Sequence, residues 1–393
     1  MVLEAKKRLS DLEGCALQGD FDLEKAQEEY NALNFQVMTI LTMPKREAVA
    51  RARRFEAFHP CETLAGAKTG FGPSFSHYFL NHWDDFALTT VAKVIAPEGS
   101  HVNGSGLLTS IEATLLLVAR LSRAESTWDL LAPTFKRDPA DLCNHFNALL
   151  HRLDRTLGRL VDLDHSVPFF AEHLGTTYQS SIETLLAAIR PDAPLVSNID
   201  MFKVVADGLR QPVARSGDND IQMAHYSGYT GSHNVLYGMV VAPDGLIIGL
   251  TSQKAGAMSD MSFQAELAGI LGENELPALV DGIFSHISGA LYPIPSKKIA
   301  EKLNISPETC KKYSAVRVTV EWTIGHLKRW FPYAFCKEKM TSATNPARIL
   351  RAAVILYNFV VCLRGSQVSL YSRLNPFGKA EPLEALEFYL SFK

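Results

Sequence analysis

Residues 233–251 read HNVLYGMVVAPDGLIIGLT. His233–Ala242 is an apolar run rich in β-branched residues, long enough for one strand. Pro243-Asp244-Gly245 is a turn, and Leu246–Thr251 is the return strand of a hairpin. Upstream, Leu195–Val205 has the same β-branched character and predicts a strand that ends at Asp207-Gly208. Downstream, Ser259–Leu271 reads as helix, Leu276–Val280 as a short apolar strand ending at Asp281, and Ala315 to about Trp330 as a long helix. Strand, hairpin, helix, strand, helix is an α/β order. It predicts a mixed sheet flanked by helices over residues 195–393.

The whole chain has 393 residues, 47% apolar and 21% charged, which suits two domains and excludes disorder over most of its length. Near the C-terminus the apolar run Ala352–Leu363 is interrupted by Asn358 and falls short of the ~20 residues a bilayer span needs, so no membrane is expected. The first residues, MVLEAKKRLSDLEG, lack the apolar core of a secretory signal. The six cysteines form no CxxC pair and read as reduced thiols. Charge is unevenly spread: residues 1–200 hold 19 Lys+Arg against 26 Asp+Glu, and residues 201–393 hold 20 against 16. Nine basic residues lie within 311–351, among them Arg317, Lys328 and Arg329. Such a stretch suits a polyanion partner or a solvated helix face.

The N-terminal half divides at Gly106. Residues 1–105 begin as a charged helix over 1–35 and become rich in Gly, Pro, His and aromatics from Phe55; their role is not legible. Over 106–194, Leu108, Ile111, Leu115, Val118 and Leu121 make a helical stripe starting at Gly106. Thr127 caps a short helix expected to stop at Pro133, and Asp138-Pro139 opens another that buries Leu142, Phe146, Leu149, Leu150 and Leu153. This is the outline of an all-α helix-turn-helix domain, or of a three-helix packing unit without a nucleic-acid role. In the first case Asn144, Asn147, His151 and Arg152 would face DNA. Arg190-Pro191-Asp192-Ala193-Pro194 marks the boundary.

Three carboxylates carry the chemistry. Asp207 and Asp281 each follow a predicted strand, and Glu321 lies in the late basic helix. Neighbouring strands are ~5 Å apart, so acids at their ends converge, and a Glu from a packed helix completes a cage of hard oxygens suited to Mg²⁺ or Mn²⁺. Either Asp-Gly alone is equally a common turn. His225 and His233 could pair across the hairpin but read better as satisfied loop residues, and Trp322 and Trp330 as packing residues.

From Val205 to about Tyr371 the chain resembles the DDE superfamily domain of Harbinger (PIF)-type transposases, in a variety found in fungal and oomycete genomes. The resemblance rests on Ala206-Asp207-Gly208 with Arg210 and Arg215, His225-Tyr226-Ser227-Gly228 with His233, and Gly256-Ala257-Met258-Ser259-Asp260. Val280-Asp281-Gly282-Ile283-Phe284, Arg317-Val318-Thr319-Val320-Glu321-Trp322 and Leu356-Tyr357-Asn358-Phe359 also match. Arg317, Glu321 and Lys328 stand at the Arg-x₃-Glu-x₆-Lys spacing of many bacterial DDE transposases. The resemblance implies an RNase H-like fold with Asp207, Asp281 and Glu321 as a catalytic, metal-binding triad. Asp260 is implied as an auxiliary ligand or a helix cap, and Arg317 and Lys328 as phosphate contacts. Two divalent ions would serve hydrolysis and then strand transfer of DNA. The implied partners are transposon ends and target DNA, with a Myb-like accessory protein and a homo-oligomer also suggested; the implied compartment is the nucleus.

Four positions depart from the family's pattern. Leu209 stands where Thr is usual, Val280 precedes the second Asp in place of Gly, Phe284 replaces a Tyr and Ser259 a His. The alternatives are a nuclease that cuts without transferring, and a degenerate or domesticated DNA-binding or partner-recruiting protein.

Overall fold

The computed structural model describes residues 83–102, 106–124, 127–177, 203–284, 290–294, 297–302, 305–338, 345–372 and 375–391, with Ala65, Ala67 and Lys68. The helix expected over 1–35, most of the loop-rich stretch after it and the segment 195–202 lie outside these residues. The chain divides into two compact units, the first ending at Phe146 and the second continuing from Asn147, with Leu121–Ala124 counted in the second.

Among its described residues the first unit is helical, with one small hairpin. Helix α1 (Asp85–Ile95) starts at an Asp84 cap that accepts the Ala87 N–H. Strands β1 (Ser100–Val102) and β2 (Gly106–Leu108) pair antiparallel. Leu108 is therefore a strand residue, and the helix expected from Gly106 begins only at Ser110, as α2 (Ser110–Leu121). Its start is fixed by a reciprocal cap: Glu112 Oε2 accepts the Thr109 N–H at 2.9 Å, and Thr109 Oγ1 accepts the Glu112 N–H at 3.3 Å. Helix α3 (Trp128–Phe135) is capped by Thr127 as expected but continues through Pro133 and stops at Lys136, in the left-handed region at φ 50°. Helix α4 (Pro139–Leu157), which begins in the first unit and ends in the second, opens on Asp138, whose carboxylate accepts the Ala140 N–H.

The second unit is built on a seven-stranded mixed sheet. Its strands are β3 (Val204–Pro212), β4 (Tyr226–Ser227), β5 (Ser232–Val241), β6 (Ile247–Leu250), β7 (Lys254–Ala255), β8 (Ala278–Val280) and β9 (Leu291–Pro293), in the order β4-β5-β3-β8-β9, with β6 and β7 also paired to β5. The expected hairpin is β5–β6. Its turn is held by Asp244, buried, which accepts the Leu246 and Phe377 N–H groups, and by Gly245 at φ +90°. Along β5 eight consecutive residues from Asn234 are buried, so both faces of the sheet are covered there. Helix α5 (Leu163–Thr177) lies against β6 so closely that a Cβ on Gly249 would stand 2.9 Å from Leu163 Cα.

The remaining helices are α6 (Asn219–His225), α7 (Gln264–Glu273), α8 (Lys297–Lys302), α9 (Pro307–Trp330), α10 (Pro346–Arg364), α11 (Gln367–Ser372) and α12 (Pro382–Leu390). Helix α9 begins eight residues before the expected Ala315, on a Ser306 cap followed by Pro307. The run Pro346–Leu370 is long and apolar enough to cross a bilayer, but an apolar 18-residue stretch of it is 83% buried inside the protein, where α10 is a core helix. Asn358, which interrupts that apolar run in sequence, binds both backbone groups of Ile247 and donates to the Tyr389 hydroxyl, at 2.8–2.9 Å. The helix is thereby fastened to β6.

Candidate active site

Strand β3 passes through the middle of the sheet. It pairs antiparallel with β5 from Val205↔Val241 to Pro212↔Asn234, and parallel with β8 at Val204↔Ala278 and Val205↔Leu279. Asp207 thus does not close a strand, as the sequence suggested, but sits inside one of nine residues. The long antiparallel ladder to β5 carries β3 onward after β8 has stopped at Val280. Extending the parallel register by two residues sets Asp207 beside Asp281, at the end of the parallel pair. Adjacent strands there are ~4.8 Å apart. Each aspartate accepts the N–H of the glycine after it, from Gly208 at 2.8 Å and Gly282 at 2.7 Å.

Helix α9 supplies the third acid. Val316, Val320, Thr323 and Leu327 form its buried stripe. Arg317 and Glu321 lie one turn apart beside it. Arg317 donates to Asp207 Oδ2 at 3.1 Å and also pairs with Glu321. One guanidinium therefore joins two acids 114 positions apart in sequence. Asp207 and Arg317 are mostly buried and Glu321 about half exposed; Asp281 is exposed.

Asp260 stands on the other face of β3. A Cβ on Gly208 would lie 2.9 Å from the Asp260 carboxyl carbon, so a larger residue there would push that carboxylate aside. Ser259 makes no side-chain cap bond. The Asp260 carboxylate is held instead by Arg210 at 3.1 Å, whose guanidinium also donates to the Gly256 and Met258 carbonyls. Arg210 and Gly208 share a strand face, two residues apart. That spacing was the available signal for a tether the sequence reading did not assign.

Burial pushes the Asp207 carboxyl up to about 6; the Gly208 N–H and Arg317 pull it down, and the charges of Asp281 and Asp260 push it further up. Asp207 thus feels the charges of both other aspartates. Among the described residues no three His, Cys, Asp or Glu side chains close on a common point as a metal cage. The Arg317 guanidinium lies between Asp207 and Glu321. The oxygens present are all carboxylate, the donor type that a hard divalent cation takes.

The other sequence-derived positions fall as follows. Lys328 and Arg329 are exposed in the last turn of α9, with the Lys328 ammonium 5.6 Å above the Phe335 ring. The basic stretch 311–351 is not one continuous face. Lys312 is buried, Arg351 is bound to Asp154 and Asp162, and Arg348 pairs with Asp154. On α4, Asn144 and His151 are exposed, and Asn147 and Arg152 half-buried. His225 Nδ1 is bonded to its own helix at Ile221 O, 2.8 Å away, and Trp330 stacks on His326 and packs against Tyr357.

A mixed α/β sheet with helices about it, with Asp207 on its central strand and Asp281 just past the end of the parallel neighbour, fits an RNase H-like DDE domain. Residues 206–358 match the family model described as DDE superfamily endonuclease, which supports a DDE transposase-type domain over that stretch. No curated protein matches the chain. No solved structure matches it either.

Proposed function

We propose that this chain is a Harbinger-type DDE transposase that cuts DNA phosphodiesters and joins the freed end to a target. The reading is supported by the β3–β8 register, which brings Asp207 opposite Asp281 when it is extended two residues past Val205↔Leu279, and by Arg317, which pairs with both Asp207 and Glu321. Asp207, Asp281 and Glu321 would hold Mg²⁺ or Mn²⁺ in the two-ion manner, with Asp260 as an auxiliary acid steadied by Arg210. Bound divalent ions polarise phosphoryl oxygens and lower the pKa of water. Arg317 sets the spacing of two of the acids, and its cation suits a phosphate oxygen next to the scissile bond. Lys328 and Arg329, exposed on the same helix, suit the flanking backbone. Asn144, Asn147, His151 and Arg152 on α4 are proposed as the contacts of a helix-turn-helix reader of the transposon ends. A Myb-like accessory protein, a homo-oligomer and a nuclear location belong to the same proposal, because the substrate is chromosomal DNA.

A second reading, a DNA-binding protein without cleavage, is favoured by one observation: Arg317 already satisfies Asp207 and Glu321 as ion pairs. Supercoiled plasmid with Mg²⁺ or Mn²⁺ separates the two. Nicking by the wild type that is lost in Asp281→Ala supports the nuclease. Equal nicking by both proteins, or none from either, leaves the binding protein. Joining of terminal-repeat oligonucleotides to a target then distinguishes a transposase from a nuclease that only cuts.

A further inference from the structure

Beyond Pro212 the chain leaves β3, forms α6 and returns through β4 and the start of β5. Where α6 folds over this hairpin there is a pocket of about 350 Å³ lined by Arg215, Gln222, Met223, Tyr226 and His233. That volume is within the range of small-ligand sites. Its chemistry is mixed in a particular way. Tyr226, 48% exposed, meets the His233 ring edge-on at 5.3 Å, and Met223, 66% exposed, adds a soft thioether. Arg215 is an exposed cation whose Nε is steadied by Gln222 Oε1 at 2.8 Å, which leaves the Gln222 amide nitrogen to donate elsewhere. His233 Nε2 is buried and finds no hydrogen-bond partner among the described residues, so the ring enters the hollow as a packing surface for Tyr226.

An apolar protein partner would have little use for a cation, a carboxamide and an imidazole in one small hollow. A planar, hydrogen-bonding ring attached to an anion would use all of them. We propose that this pocket receives one unpaired nucleotide of the DNA strand, with the base against Tyr226 and Met223, its edge toward Gln222, and its phosphate on Arg215. The inference rests on the DNA reading above and adds a substrate feature to it: a base turned out of the duplex. Arg215 follows Asp207 by eight residues, at most about 26 Å along an extended chain. That is within one ~34 Å turn of duplex, so one DNA segment can reach both places.

The test is binding without divalent ions, which keeps it independent of cleavage. A duplex carrying one unpaired 2-aminopurine is titrated against the same duplex fully paired. The wild type is expected to prefer the unpaired form by about fivefold or more, with the probe's emission changing as the base stacks. Tyr226→Ala and Arg215→Ala, both at exposed positions, are expected to remove the preference. Equal affinity of the wild type for both duplexes, or an undiminished preference in Tyr226→Ala, overturns the proposal. So does a dimer that dissociates in Tyr226→Ala while nucleotide preference persists, since the surface would then belong to a second copy of the chain. A protein that selects the unpaired base but does not nick plasmid retains the pocket and loses the nuclease; one that nicks without selecting retains the nuclease and loses the pocket.

Discussion

Replacing Asp207 by Asn should stabilise the fold while abolishing any cleavage. The carboxyl has its pKa raised from an ordinary 3.8 to about 6, first by burial. The folded protein therefore holds more protons than the unfolded chain between these values. Wild-type stability falls as pH rises through that window; the penalty is absent below it and complete above about 6. Roughly two pKa units at 1.36 kcal/mol each put the penalty near 3 kcal/mol at pH 7, shrinking below about 1 kcal/mol at pH 4. Asparagine keeps an oxygen for the Gly208 N–H and lacks the charge. It gives up the pair with Arg317, which still has Glu321. A net gain of about 1–3 kcal/mol at pH 7 follows. Urea unfolding of both proteins at pH 7 and pH 4 measures it. Excess Mg²⁺ should narrow the difference by stabilising the wild type alone. An Asp207→Asn variant no more stable than wild type at pH 7, or a gain that does not shrink at pH 4, refutes the reasoning.

Asn358→Leu removes the side chain that binds both Ile247 backbone groups in the core and should cost about 3 kcal/mol, seen as a lower melting temperature. Arg351→Met leaves Asp154 and Asp162 without their shared cation. The loss should be about 2 kcal/mol in chemical denaturation, less than for a fully buried pair because these acids are about a third exposed. Duplex affinity should fall with salt, and the double change Lys328→Ala, Arg329→Ala should reduce the log–log slope by about 2. An unchanged slope takes these two residues off the phosphates.

Much of the fold was legible because its signals are local. The β5–β6 hairpin follows from an apolar run, a Pro-Asp-Gly turn and a second run. The Thr127 and Asp138 caps follow from residue type next to a helical stripe, and Asp281 from the end of a short apolar strand. The errors share one cause. The length of β3 depends on a ladder to β5, the start of α2 on a two-stranded hairpin before it, and the start of α9 on a cap that precedes its periodic stripe. Pairing partners and reciprocal caps override the pattern a window of sequence shows.

Residue type and period alone determined that this chain makes an α/β sheet, and which acids lie on it. Tertiary structure decided what those acids meet. Arg317 between Asp207 and Glu321, Arg210 on Asp260 beside Gly208 and Asn358 on Ile247 all join residues distant along the chain. A side chain's partner is set by strand register and helix packing, and neither is written in the neighbouring residues. The same acids in another register would be ordinary surface charge.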